Sequence, residues 1–170
     1  MNFFFYLAAI IAVISTALVI TRLSAVHALL YLIVSLLAVA VIFFLLGAPF
    51  VAALEVIIYA GAIMVLFVFV IMMLNLGPAS IEREHEWFKP VMLIGPTLLA
   101  AILLAEIIFA FARGGGVGMA QNIISPRELG IALYGPYVLG VELSSMLLLA
   151  GLIGAYHLGR RVHRRDEEAG

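Results

Sequence analysis

Apolar residues run along this chain in long unbroken blocks, not in alternation. The main stretches free of Lys, Arg, Asp and Glu cover 1–21, 23–54, 56–81, 90–105, 129–141 and 143–159. A helix needs about 20 apolar residues to cross a bilayer. The pattern therefore predicts five spans, near 3–21, 26–46, 52–75, 91–112 and 135–157, and a tail over 158–170. Between them lie turn signals: Arg22-Leu23-Ser24, Gly47-Ala48-Pro49 and Gly77-Pro78. Proline ends a helix because it lacks the amide donor and its ring clashes with the preceding turn. A transmembrane β-barrel would need strict alternation of polar and apolar positions, which the blocks do not show. The expected fold is all-α, a single integral membrane domain of five transmembrane helices.

Composition agrees with the pattern. Of 170 residues, 66% are hydrophobic and 11% charged, and the mean hydropathy is +1.25. A soluble globule is about 45–50% apolar and roughly 25% charged, so a water-soluble enzyme and a disordered chain are both excluded. The formal net charge of −1 speaks against a nucleic-acid partner and leaves the lipid bilayer as the surroundings. Cysteine is absent, so thiolate metal sites and cysteine-held iron–sulfur clusters cannot be built from this chain.

Basic residues set the orientation. With the N-terminus outside, the inner side holds Arg22, Arg83, Lys89, Arg160, Arg161, Arg164 and Arg165, and the outer side only Arg113 and Arg127. Cytoplasmic loops carry the excess of Lys and Arg, so the C-terminus is expected in the cytoplasm. Met1-Asn2-Phe3 has no basic n-region, and the first span is expected to stay uncleaved. The inner loop, Pro78 to Pro90, carries Trp87 and Phe88 as interface anchors. The outer loop opens with Gly114-Gly115-Gly116-Val117-Gly118, a linker without the lysine of a phosphate cradle. Ser125-Pro126-Arg127-Glu128 reads as a capping box opening a short surface helix.

Three acids fall inside spans: Glu55, Glu106 and Glu142. A carboxyl in hydrocarbon needs a reason. Tyr59 follows Glu55 at i+4, which on an α-helix makes one polar stripe. Ser145 follows Glu142 at i+3 and is its expected intrahelical support. Glu106 has apolar neighbours at i±3 and i±4, with Arg113 two turns on as a partner for snorkelling, and reads as structural. His27 and His157 sit at inner span ends, an interfacial placement that argues against a bis-histidine haem. Tyr59-Ala60-Gly61-Ala62 is a small, loose patch within a span of large apolar residues, open to close packing or to local rewinding.

At this point a family becomes visible. Residues 53–76, ALEVIIYAGAIMVLFVFVIMMLNL, resemble the signature helix of the subunit J family (mitochondrial subunit 6) of the proton-translocating NADH–quinone oxidoreductase, respiratory complex I. The resemblance extends to Val26–Ile33, to Trp87–Pro90 with Gly95-Pro96, and to Gly135–Leu143 with Ser145–Gly151. It implies a membrane-arm subunit of a bacterial inner membrane, beside other small subunits and the quinone-site subunit. FMN, the iron–sulfur clusters and the quinone would belong to partner subunits, and this chain would hold no cofactor, metal or catalytic residue of its own. It further implies that the third helix holds a π-bulge over Tyr59, Ala60, Gly61, Ala62, Ile63, Met64 and Val65. By resemblance that segment would gate a water and proton path, with Glu55 and Glu142 as polar contacts along it. Glu106 departs from the family pattern, and the tail HLGRRVHRRDEEAG is not matched. Related multi-chain cation/proton antiporters, membrane-bound hydrogenases and a purely structural assembly role stay open as alternatives.

Overall fold

The computed structural model describes residues 2–22, 24–74, 90–112 and 123–159. Elements run in the order α1 (Asn2–Thr21), α2 (Ala25–Leu45), α3 (Pro49–Glu55), π1 (Val56–Ile63), α4 (Met64–Leu74), α5 (Pro90–Ala112), α6 (Pro126–Tyr134) and α7 (Val138–Gly159). Among the described residues there is no strand. Four helices are long and apolar enough to cross a membrane: Phe3–Thr21, Ala25–Leu45, Pro49–Met73 and Val138–Gly159. A fifth, shorter apolar stretch, Leu93–Phe109, lies within α5. Trp87, Phe88, the Gly77-Pro78 stop, the glycine run at 114–118, Arg113 and the tail from 160 lie outside the described residues.

The chain forms two compact units, 1–125 and 126–170. In the first, α2 is the central rod, packing against α1, α3, π1, α4 and α5. The core joins Ala8 and Ile11 of α1, Val34, Ala38, Val41 and Leu45 of α2, and Leu103 of α5. Lipid tails are as apolar as leucine, so helices in a bilayer gain little from hiding apolar surface and associate through close packing and hydrogen bonds. Alanines at 8 and 38, both 0% exposed, let the α1 and α2 backbones approach. Thr16 Oγ1 and Ser35 Oγ lie 2.8 Å apart across that contact.

The α2–α3 turn forms as its sequence dictates. Gly47 takes φ 85°, the left-handed region that a side chain disfavours. Its amide donates to the Phe44 carbonyl at 3.1 Å and that of Ala48 to the Phe43 carbonyl at 3.0 Å, the paired closure of a Schellman end. Pro49 then opens α3 at a position where its missing amide is no loss. Consequently the third rod starts at Pro49, three residues before the expected 52. The Ile124 amide donates to the Gly47 carbonyl at 2.8 Å, tying residue 124 to this turn.

In the second unit, α6 begins at Pro126, where the capping-box pattern placed a helix start. Residues 135–137 form a turn closed by the Tyr137 amide donating to Ala132, so α7 begins at Val138 and not at the expected 135.

Candidate functional site

The third rod is not one continuous α-helix. The Val56 amide, at the end of α3, still donates to Ala52 four residues back. By Met64 the amide reaches Tyr59, five residues back, and also Gly61. Between these points lies π1, eight residues reading VIIYAGAI. A π-turn carries one residue more than an α-turn, which widens the coil and strands part of the hydrogen-bond ladder. Local sequence explains why the widening falls here. Val56, Ile57 and Ile58 are β-branched and crowd the preceding turn of an α-helix. Ala60, Gly61 and Ala62 then offer almost no side chain to resist a wider turn.

Gly61 suits the wider turn. A Cβ placed on it would stand 3.1 Å from the Val56 carbonyl oxygen, the backbone atom five residues back, a close contact to which that carbonyl would have to give way by a few tenths of an ångström.

Of the residues expected at the bulge, Tyr59, Ala60, Gly61, Ala62 and Ile63 lie within π1, while Met64 and Val65 begin α4. The π segment also starts earlier than Tyr59, at Val56, because the β-branched run precedes the small residues. Met64 and Val65 contrast sharply: Met64 is 1% exposed and Val65 67%. Met64 is thus the anchor of α4, while Ile57, Tyr59 and Val65 are uncovered.

Glu55 is the last residue of α3, half-buried, and Tyr59 is 48% exposed. Four residues overshoot one α-turn by about 40° and fall somewhat short of a wider π-turn, so either winding leaves Glu55 and Tyr59 on one side of the rod. Glu142 lies exposed on α7 in the second unit. Its expected support does not form as anticipated, because the Ser145 hydroxyl donates to the Val141 carbonyl at 3.0 Å.

Two features had no strong sequence signal. The first is an apolar cavity of about 530 Å³ between α2, the α3–π1 junction and α5. Ala40, Phe44, Ala52, Val56, Leu103 and Ile107 line it, so the point where α gives way to π faces open space. The alanines at 40 and 52 are the only hint of it in the sequence. The second is the depth of Glu106, 4% exposed with neither carboxyl oxygen hydrogen-bonded among the described residues. Its expected partner Arg113 lies outside those residues.

His27 lies at the start of α2, where a span end was expected, but it is buried against the protein, 7% exposed, and its Nδ1 lies 2.9 Å from Ser24 Oγ. Beside it Arg22 stands over the Tyr31 ring, 5.4 Å from the centroid. Among the described residues no group of His, Asp and Glu could hold a metal ion.

The family described as NADH-ubiquinone/plastoquinone oxidoreductase chain 6 matches residues 15–158. A Pseudomonas aeruginosa protein named NADH-quinone oxidoreductase subunit J is 58% identical over 162 residues, covering 95% of this chain and 98% of the relative. The Escherichia coli K12 protein of the same name is 55% identical over 170 residues, covering 100% of this chain and 90% of its own length. A Buchnera aphidicola relative, again named subunit J, is 51% identical over 160 residues.

Proposed function

The chain belongs to the NADH-ubiquinone/plastoquinone oxidoreductase chain 6 family, and on that footing we propose that its third helix gates a proton path in the membrane arm of complex I. The reaction belongs to the assembly: NADH is oxidised, a quinone is reduced and protons cross the membrane. FMN, iron–sulfur clusters and quinone sit in partner subunits. This chain spans the inner membrane five times, N-terminus outside and C-terminus in the cytoplasm, beside small membrane subunits and the quinone-site subunit.

The observation that carries the gate is π1 itself, eight residues of π-helix within an otherwise α-helical rod. One residue of register is worth about 100° of rotation in an α-helix with 3.6 residues per turn. If π1 reverts to α, everything that follows turns by that angle. Met64 then leaves its seat and an apolar neighbour, Val65 or Ile63, takes its place. Burial is roughly conserved in the exchange, so the two registers stay close in energy, as a switch requires. The same turn re-aims Tyr59 and changes the wall of the cavity at Val56. Glu55, beside the junction, supplies a polar contact for water along the path.

Gly61→Val tests this reading. The branched side chain collides with the π register, and the register equilibrium moves toward α. The variant complex is expected to assemble with a normal complement of subunits. Its NADH–quinone turnover and proton pumping should both fall several-fold. An intact complex with full coupled activity would leave the chain as a structural spacer and remove the gate.

A further inference from the structure

Glu106 is not used by the gate, yet it is the most deeply buried ionisable carboxyl among the described residues. Leu103, one turn before it on α5, belongs to the core shared with Ala8, Ile11, Val41 and Leu45. Phe109, almost one turn after it, meets Phe4 of α1 with ring centroids 5.4 Å apart. The carboxyl is therefore enclosed by this chain's own helices, where a partner subunit's side chain does not reach.

The titratable groups of the surrounding elements do not face it. On α1, Tyr6 is exposed. On α2, His27 is engaged with Ser24, and Tyr31 packs against Gly95 of α5. Gly95 lies eleven residues before Glu106, roughly 16 Å along the helix axis. Arg22 stands over Tyr31 at that same far end. Glu55 and Tyr59 belong to the rod across the cavity. Among the described residues a carboxylate at this place has neither a counter-charge nor a donor, and its desolvation goes uncompensated.

We propose that Glu106 is a proton-binding site inside this chain, occupied as the neutral acid. Leu103 and Ile107, to one side of Glu106 on α5, line the apolar cavity beside π1 together with Ala52 and Val56, while Glu106 itself lies off that cavity. The ligand is the hydrogen ion. The probe is an apolar reagent that reacts with the acid and not with its anion.

Dicyclohexylcarbodiimide has that chemistry. The acid's proton passes to one carbodiimide nitrogen while the carboxyl oxygen bonds the central carbon. The acyl group then migrates to nitrogen and leaves a stable N-acylurea, with nothing oxidised and no group lost. Treating the assembled complex in its membrane at neutral pH should place this adduct on the peptide carrying Glu106. E106Q should abolish it completely and leave any adduct at Glu55 or Glu142 unchanged. An adduct on that peptide persisting in E106Q overturns the proposal.

Infrared comparison of the two complexes reads the proton without any reagent. The wild type should show one additional C=O stretch of a protonated carboxyl. An additional carboxylate stretch in its place overturns the assignment. Both measurements are made on the resting complex, so their outcome is separate from that of the gate.

Discussion

At the scale of single residues, two contacts hold the first unit in a setting where burying apolar surface does little. Thr16 and Ser35 join α1 to α2 at 2.8 Å, and Ser35 also donates to the Ala12 carbonyl at 3.3 Å. Interhelical hydrogen bonds in bilayers average about 0.6 kcal/mol. Ser35→Ala should therefore lower the heat stability of the complex by about that amount and leave turnover intact, as a thermal inactivation series can measure. Gly47 is more demanding, because a residue with a Cβ at φ 85° is disfavoured by about 1–2 kcal/mol. Gly47→Ala should weaken assembly more than Ser35→Ala does, read as the yield of intact complex on native gels. The Gly47-Ala48-Pro49 turn was legible from its residues alone, since glycine and proline announce their backbone preferences. The burial of His27 was not, because a histidine at a span end looks the same whether it faces water or a neighbouring helix.

At the scale of elements, the joint between α2 and α5 depends on one close approach. A Cβ on Gly95 would overlap the Tyr31 hydroxyl and come within 3.2 Å of its ring carbon Cζ. Overpacking of this kind costs about 1–3 kcal/mol. Gly95→Ala should displace Tyr31 and loosen α5 from α2, detected as faster proteolysis of this subunit within the complex. The third rod illustrates the limit of reading elements from a sequence. Its existence and apolar character follow from composition. Its winding does not, because VIIYAGAI suits an α-helix nearly as well as a π-helix. Resemblance to a family supplied that expectation where periodicity could not. The Glu142–Ser145 pair failed because it assumed a side chain free to turn toward its neighbour, whereas the serine bonds its own backbone.

At the scale of the whole molecule, the alternation of long apolar blocks with turn signals fixed the class of fold, and the structure is helical wherever it describes a long block. Orientation rests on the distribution of basic residues, seven of which the sequence reading puts inside against two outside. Protease protection of a tag at the C-terminus in inverted and right-side-out vesicles checks it, with cleavage expected only from the cytoplasmic face. The cavity and the sealed acid emerge only when several helices are brought together, so no local pattern announces either. A last consequence follows from the winding of π1. A π-turn holds a supernumerary residue, so this segment is the one place on the rod where the chain can be shortened by a residue without throwing the remainder out of phase. Deleting Ala60 should yield a subunit frozen in its tighter form that still joins the assembly. The same excision within α2 would swing half of that helix's buried face into lipid and abolish incorporation.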